Sequence, residues 1–294
     1  MPHARNTSAA LAAAVADGVG QRRTQSDQIG NTRATGVCCN MNSLTRICQA
    51  LTPGSRQGRS RREASYQAKR LVTDMYAGPG VGCSGMMAAM PNTSPVTAWK
   101  SLKEGNERFV AGKPQHPSQS VEHRASLAAG QSPTAVVFGC SDSRVAAELI
   151  FDQGLGDMFV VRTAGQAIDT AVLGSIEFAV SVLNVPLIVV LGHDSCGAIK
   201  AALGAIEEGS IPGGFVRDVV ERVAPSILMG RRDGLNRVEE FVERHVRETV
   251  AQLVSRSTAI AERIADGTVA VAGVTYHLAD GRAALCDHVG DIGE

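Results

Sequence analysis

Short runs in which every residue is apolar punctuate the second two-thirds of the chain: "AVVF" at 135–138, "MFVV" at 158–161, "LIVVL" at 187–191 and "VAVAGV" at 269–274. None alternates with polar residues, as a strand with one wet face would, so each reads as a strand covered on both faces. Between them the pattern changes to the three- and four-residue recurrence of amphipathic helices, at 171–183, 198–206 and a long stretch from about 235 to 265. Earlier, "SPVTAWKSLKEGNERFVAG" opens on a Ser–Pro cap and closes at Gly112, which predicts a helix ahead of the sheet. The late "DGRAAL" joins a turn signal to a short apolar run and predicts an antiparallel edge strand. Strands and helices alternating in this order predict an α/β fold, a mostly parallel central sheet flanked by helices.

The first 89 residues lack this patterning, apart from a short stretch at 61–75 that could be helical. They carry 11 Lys and Arg against 4 Asp and Glu, whereas 90–294 carry 18 against 25, so a chain neutral overall joins a +7 segment to a −7 one. Rich in Ala, Gly, Ser, Thr and Arg, the first segment cannot bury enough apolar surface to offset its ordering entropy. Three readings stand for it: a disordered tail, an Arg-rich targeting peptide, or translated sequence upstream of a natural start at "MPNTSPVTAWKSL". The domain division expected is therefore an extension, 1–89, disordered or non-native, and one catalytic domain, 90–294. No apolar run approaches the ~18–20 residues of a membrane span. Seven cysteines, an odd number, in a chain without a convincing secretory signal favour reduced thiols over a disulfide framework. A cytoplasmic protein is expected, with targeting by residues 1–89 left open.

Chemistry concentrates where two of the strand runs end. After 135–138 come Cys140, Asp142 and Arg144; after 187–191 come Gly192, His193 and Cys196, and then a helix. Open parallel sheets bind ligands beyond the carboxyl ends of their strands. If these two strands are neighbours, Cys140, Asp142, His193 and Cys196 converge as four good zinc ligands, and two thiolates with an imidazole suit Zn²⁺. Each residue also has a plain structural reading. A lone Cys at a strand end is commonly a small core hydrophobe. Asp142 could cap a helix beginning near Arg144, or form with Arg144 a surface ion pair worth under about 1 kcal/mol. The two constellations together, each directly after a buried strand, favour the metal. "HDS" at 193–195 cannot form a hydrolase triad from consecutive residues, and no dinucleotide or phosphate-loop signature follows a strand.

"CSDSRV" (140–145) and "GHDSCGA" (192–198), 53 positions apart from Cys140 to His193, resemble the two zinc-binding signatures of β-class carbonic anhydrases. The resemblance extends over roughly 90–294, through "GNERF", "GQSP", "FVVRTAG" and "GVTYHLADGRAAL". It implies one Zn²⁺ per subunit, held by Cys140, His193 and Cys196, with Asp142 taking the fourth position in a closed form and Arg144 drawing it off in the open one. It further implies hydration of carbon dioxide to bicarbonate and a proton by zinc-bound hydroxide. Gln131 matches the substrate-contacting glutamine of plant-like members. N-terminal helices are expected to pack on a partner subunit, in a homodimer or a dimer of dimers, with no nucleic-acid or membrane partner. Two positions depart from the family pattern: Thr163 follows Arg162 where asparagine is frequent, and Val137 stands where some bacterial members place a tryptophan that holds inhibitory bicarbonate. The same fold and metal set also suit a carbon disulfide or carbonyl sulfide hydrolase, or a non-catalytic zinc sensor in which Asp142 never leaves the metal.

Overall fold

The computed structural model describes residues 93–294, and the expectations for 1–89 lie outside them. The apolar runs form strands β1 (Ala135–Cys140), β2 (Met158–Thr163), β3 (Leu187–His193) and β4 (Ala270–Tyr276), followed by β5 (Ala283–Val289). They hydrogen-bond in the order β2-β1-β3-β4-β5, parallel except for the antiparallel β4–β5 pair. The edge strand predicted from "DGRAAL" is β5. β1, β3 and β4 are buried at every residue.

Their unbroken apolarity has a simple cause, since each face of the sheet meets a different layer. Val137, Val189, Leu191 and Ala272 point to one face, against Trp99 and Leu102 of α1 (Pro95–Val110), Ile150 of the short α3 (Ala147–Ile150), and Phe151. Their neighbours Val136, Phe138, Ile188, Val190 and Val271 point to the other face. They meet Ile176 of α4 (Thr170–Ser181), Val246 and Leu253 of α7 (Val238–Arg256) and Ile260 of α8 (Thr258–Ala265). Period-two geometry sends consecutive side chains to opposite faces. α1 begins as expected, with Ser94 Oγ accepting the Thr97 N–H at 3.1 Å and Pro95 at the first helical position.

The helical expectations need two corrections. The stretch 235–265 is two helices, parted at buried Ser257, whose extended backbone ends α7 and whose hydroxyl caps α8 by accepting the Ile260 N–H. A 17-residue helix, α6 (Val216–Arg232), lies where none was predicted. Its buried positions Val220, Val223 and Ile227 keep helical spacing, but Pro225 and many charges mask the pattern. With α5 (Gly197–Glu208) and α7, α6 builds a third apolar cluster at the carboxyl ends of the strands, and Cys140 and Cys196 belong to it. The remaining helix, α2 (Val121–Ser126), has no buried residue.

Candidate metal centre

β1 lies between β2 and β3, so the chain leaves it toward one side and later returns on the other. Such a reversal of strand order opens a crevice at the carboxyl ends. Cys140 is the last residue of β1 and His193 the last of β3. Cys196 is the N-cap of α5, where free N–H groups favour a thiolate. A Cβ at Gly192 would come within 2.4 Å of Val246 Cγ2, so glycine there lets α7 close over the strand beside His193.

The two thiols and the imidazole are buried, and their ligand atoms all lie within 4.8 Å of one another. His193 Nδ1 is 2.8 Å from the Asp194 carbonyl. A carbonyl only accepts, so Nδ1 carries the proton and Nε2 presents a lone pair. Nε2 is fully buried and has no hydrogen-bond partner. An orphaned polar atom of this kind costs about 1–3 kcal/mol unless something satisfies it. A cation among the three donors would do so, and a soft two-thiolate, one-imidazole set fits Zn²⁺ with one position left open. Charge is already arranged for it. The adjoining Cys196 thiol, outweighing burial and aided by His193 and the Gly165 N–H, pushes the Cys140 thiol pKa down; the same proximity to Cys140, together with burial, pushes Cys196 up. Burial opposes protonation of His193, but Cys140 beside it raises the imidazole pKa on balance. Ligation by the metal requires these protons to leave.

Asp142 lies beside this triad with its carboxylate held by Arg144. Its carboxylate accepts from Arg144 Nε at 2.9 Å and Arg144 Nη2 at 2.7 Å, with the Arg144 backbone N–H at 3.0 Å. Oδ2 is 3.9 Å from His193 Nε2. The guanidinium holds the Asp142 carboxyl well below the usual carboxylate range, against some desolvation. The helix-cap reading of Asp142 fails, because α3 begins only at Ala147, after Ala146, which makes no side-chain cap. Arg162 clamps the loop between strand and carboxylate, donating from Nε to the Cys140 carbonyl at 3.0 Å and from Nη2 to the Asp142 carbonyl at 2.6 Å. Thr163 turns its hydroxyl to the Ala167 carbonyl, and Gly165 donates its N–H to Cys140 Sγ at 3.3 Å. In the sequence, "FVVRTAG" stands out only through the family resemblance, since nothing in its spacing tells which backbone groups it will hold.

The structure thus brings Cys140, Asp142, Arg144, His193 and Cys196 together. Gln131 stands apart: it is exposed after the short turn Leu127–Ala129 and lines an open depression with Arg124, Leu127, Leu155 and Gly156.

A family model described as carbonic anhydrase matches residues 135–283. Carbonic anhydrase 2 of Mycobacterium tuberculosis is 78% identical over 205 residues, covering 70% of this chain and 99% of that protein. A carbonic anhydrase of Mycolicibacterium smegmatis is 72% identical over 205 residues, 70% of this chain and 100% of that protein. Among solved structures, a tetrameric β-carbonic anhydrase of Sordaria macrospora superposes with a TM-score of 0.51 at 26% identity, covering 62% of this chain and 93% of that one.

Proposed function

The chain belongs to the β-class carbonic anhydrases, and from that membership and its buried thiolate–imidazole triad we infer that it catalyses the reversible hydration of carbon dioxide to bicarbonate and a proton. One Zn²⁺ per subunit would be held by Cys140, His193 and Cys196, and the observation that carries the reading is the unpartnered, buried Nε2 of His193 beside two buried thiols. Bound there, Zn²⁺ supplies a Lewis acid that makes water a nucleophile near neutral pH.

The chain's own residues do the rest. Asp142, fixed by Arg144, offers a carboxylate oxygen that accepts a hydrogen bond from the attacking water and aims its lone pair at carbon dioxide. Arg144 also restrains that carboxylate. Released from the guanidinium, Asp142 would be free to serve as a further ligand and shut the site. Arg162 anchors the backbone of the Cys140–Asp142 loop at both carbonyls. Gln131 supplies an amide donor to the oxygen of the substrate in the assembled protein.

We further assign the catalytic domain to residues 90–294 and the protein to the cytoplasm as at least a homodimer. The dimer reading is supported by the half-exposed apolar edge strand β2 and by α2, which buries nothing within one chain. The described cysteines Cys140, Cys196 and Cys286 are free thiols, which suits a reducing compartment. No described helix is long and apolar enough to cross a membrane.

The deciding experiment is stopped-flow carbon dioxide hydration on zinc-replete protein from about pH 6.5 to 9, with Cys196→Ser as control. The expected result is activity that rises toward alkaline pH, because two thiolate donors leave the metal a weaker acid than a neutral-ligand set would, and its loss in the control. Stoichiometric zinc without activity at any pH would sink the reading and turn attention to carbonyl sulfide.

A further inference from the structure

α7 buries a histidine that the mechanism does not use. His245 is 3% exposed, within a polar chain that includes Ser226 of α6 and Thr249 of α7, each 1% exposed. Both ring nitrogens are satisfied: Nδ1 is 2.9 Å from Ser226 Oγ, and Nε2 is 2.8 Å from the Gly165 carbonyl. The carbonyl can only accept, so Nε2 carries the proton and Nδ1 receives the Ser226 hydroxyl. Burial, outweighing the Gly165 carbonyl and the nearby Cys140, pushes the imidazole pKa down, so the ring stays neutral. It is a fixed donor.

The residue it grips is the one that donates to the metal site. Gly165 sits in the left-handed region at φ 62°, with its N–H on Cys140 Sγ at 3.3 Å and its carbonyl on His245. A Cβ there would come within 2.5 Å of Ala198 Cβ, in the first turn of α5 after Cys196. The turn is therefore wedged between both thiol-bearing elements. Its next residue, Gln166, is also left-handed at φ 38°, and Arg222 of α6 donates to the Ile168 carbonyl at 2.8 Å. Glycine takes the left-handed region freely, but Gln166 has a Cβ, and a non-glycine residue held there persists only when the surroundings over-determine it. α6 and α7 provide that constraint from outside the sheet.

We propose that His245 is a positioning residue for the metal centre, acting through Gly165 to hold an N–H donor on the Cys140 sulfur, with Ser226 fixing its tautomer. The proposal rests on the reading of Cys140 as a zinc ligand. An N–H on a thiolate withdraws electron density from sulfur and stabilises the deprotonated ligand. Losing an outer-sphere partner of this sort commonly weakens metal binding by about 10–100-fold.

The test uses the full chain loaded with Co²⁺ for spectroscopy and with Zn²⁺ for chelator competition. In His245→Leu the sulfur-to-cobalt charge-transfer band is expected to move to lower energy, because the sulfur lone pairs lose their donor, and zinc affinity to fall about tenfold or more. His245→Gln, whose amide can still donate to Gly165, is expected to restore most of both. Ser226→Ala keeps the imidazole but frees its tautomer and is expected to shift the band partway. If His245→Leu does not fold, Ser226→Ala decides. A band and an affinity unchanged in every variant that folds would overturn the proposal and leave His245 a core residue measured by melting temperature alone. Wild-type protein that binds neither metal would overturn the zinc reading instead.

Discussion

The Arg144 guanidinium holds the Asp142 carboxylate by both oxygens, 3.9 Å from His193 Nε2, and in the proposed mechanism the metal would compete for it. Its pKa lies below the ordinary carboxylate range, so the charge is present above that range and lost only when pH falls through the depressed value. Between pH 6 and 9 Asp142 stays ionised. A fall in activity across that window therefore reports competition for the open metal position, because protonation of Asp142 lies far to the acid side. Asp142→Ala should retain zinc by chelator competition, lose much of its turnover and no longer show reversible acid inactivation. Arg144→Ala frees the carboxylate and should move inactivation to higher pH. A wild-type pH profile in both variants would remove gating from the mechanism. Cys140, Asp142, Arg144, His193 and Cys196 were legible because each lies within six residues of an apolar strand run, which fixes where its side chain emerges. The clamps on their backbone were not: that Arg162 reaches back to the Cys140 and Asp142 carbonyls depends on the β1–β2 register, which no local pattern specifies.

Among the elements, β1, β3 and β4 were plain in the sequence because burial on both faces leaves little room for polar residues, and the edge strand β2, only partly buried, shares their apolar run up to Arg162. α6 escaped notice for the opposite reason. It is covered on one side only, and Pro225 falls inside it, so its apolar residues are diluted by Arg217, Asp218, Glu221 and Arg222. The break between α7 and α8 did carry a sign, since Ser257 is a favoured N-cap residue, but the apolar recurrence runs through it. Its hydroxyl donates to Glu177 Oε1 at 2.6 Å and accepts the Ile260 N–H at 3.2 Å, tying α8 to α4. Ser257→Ala should cost about 1 kcal/mol and lower the melting temperature by about 2–4 °C. Zinc affinity should not change, since Ile260 of α8 packs in the second sheet-face cluster and no residue of α8 belongs to the cluster that holds Cys140 and Cys196. Calorimetry with a parallel metal titration checks both halves of that expectation.

At the scale of the whole molecule, every residue of the candidate site comes from the part that begins with the Ser94 cap of α1. A chain starting at Met90 should therefore bind one equivalent of zinc, hydrate carbon dioxide like the full chain and sediment as a dimer or larger. Loss of activity on truncation would give the first 89 residues a part in catalysis. What sequence could not give at this scale is the neighbourhood of Gln131. Its match to the family lies in position along the chain, whereas within one chain it faces the depression beside Arg124, away from the triad's strand ends.

The pairing of β1 with β3 has a consequence for stability as well as chemistry. Cys140 and His193 end adjacent strands and are separated by 53 positions of chain. A cation shared by them is a removable cross-link, closing a loop that an unfolded chain would otherwise leave free. For a permanent link spanning that length, chain entropy alone gives about 4 kcal/mol. Stripping the ion with a chelator should lower the melting temperature well beyond the loss of any single contact, and returning zinc should restore it. The metal would then act as a rivet through the two central strands, and the enzyme's resistance to unfolding would rise and fall with the zinc available to it.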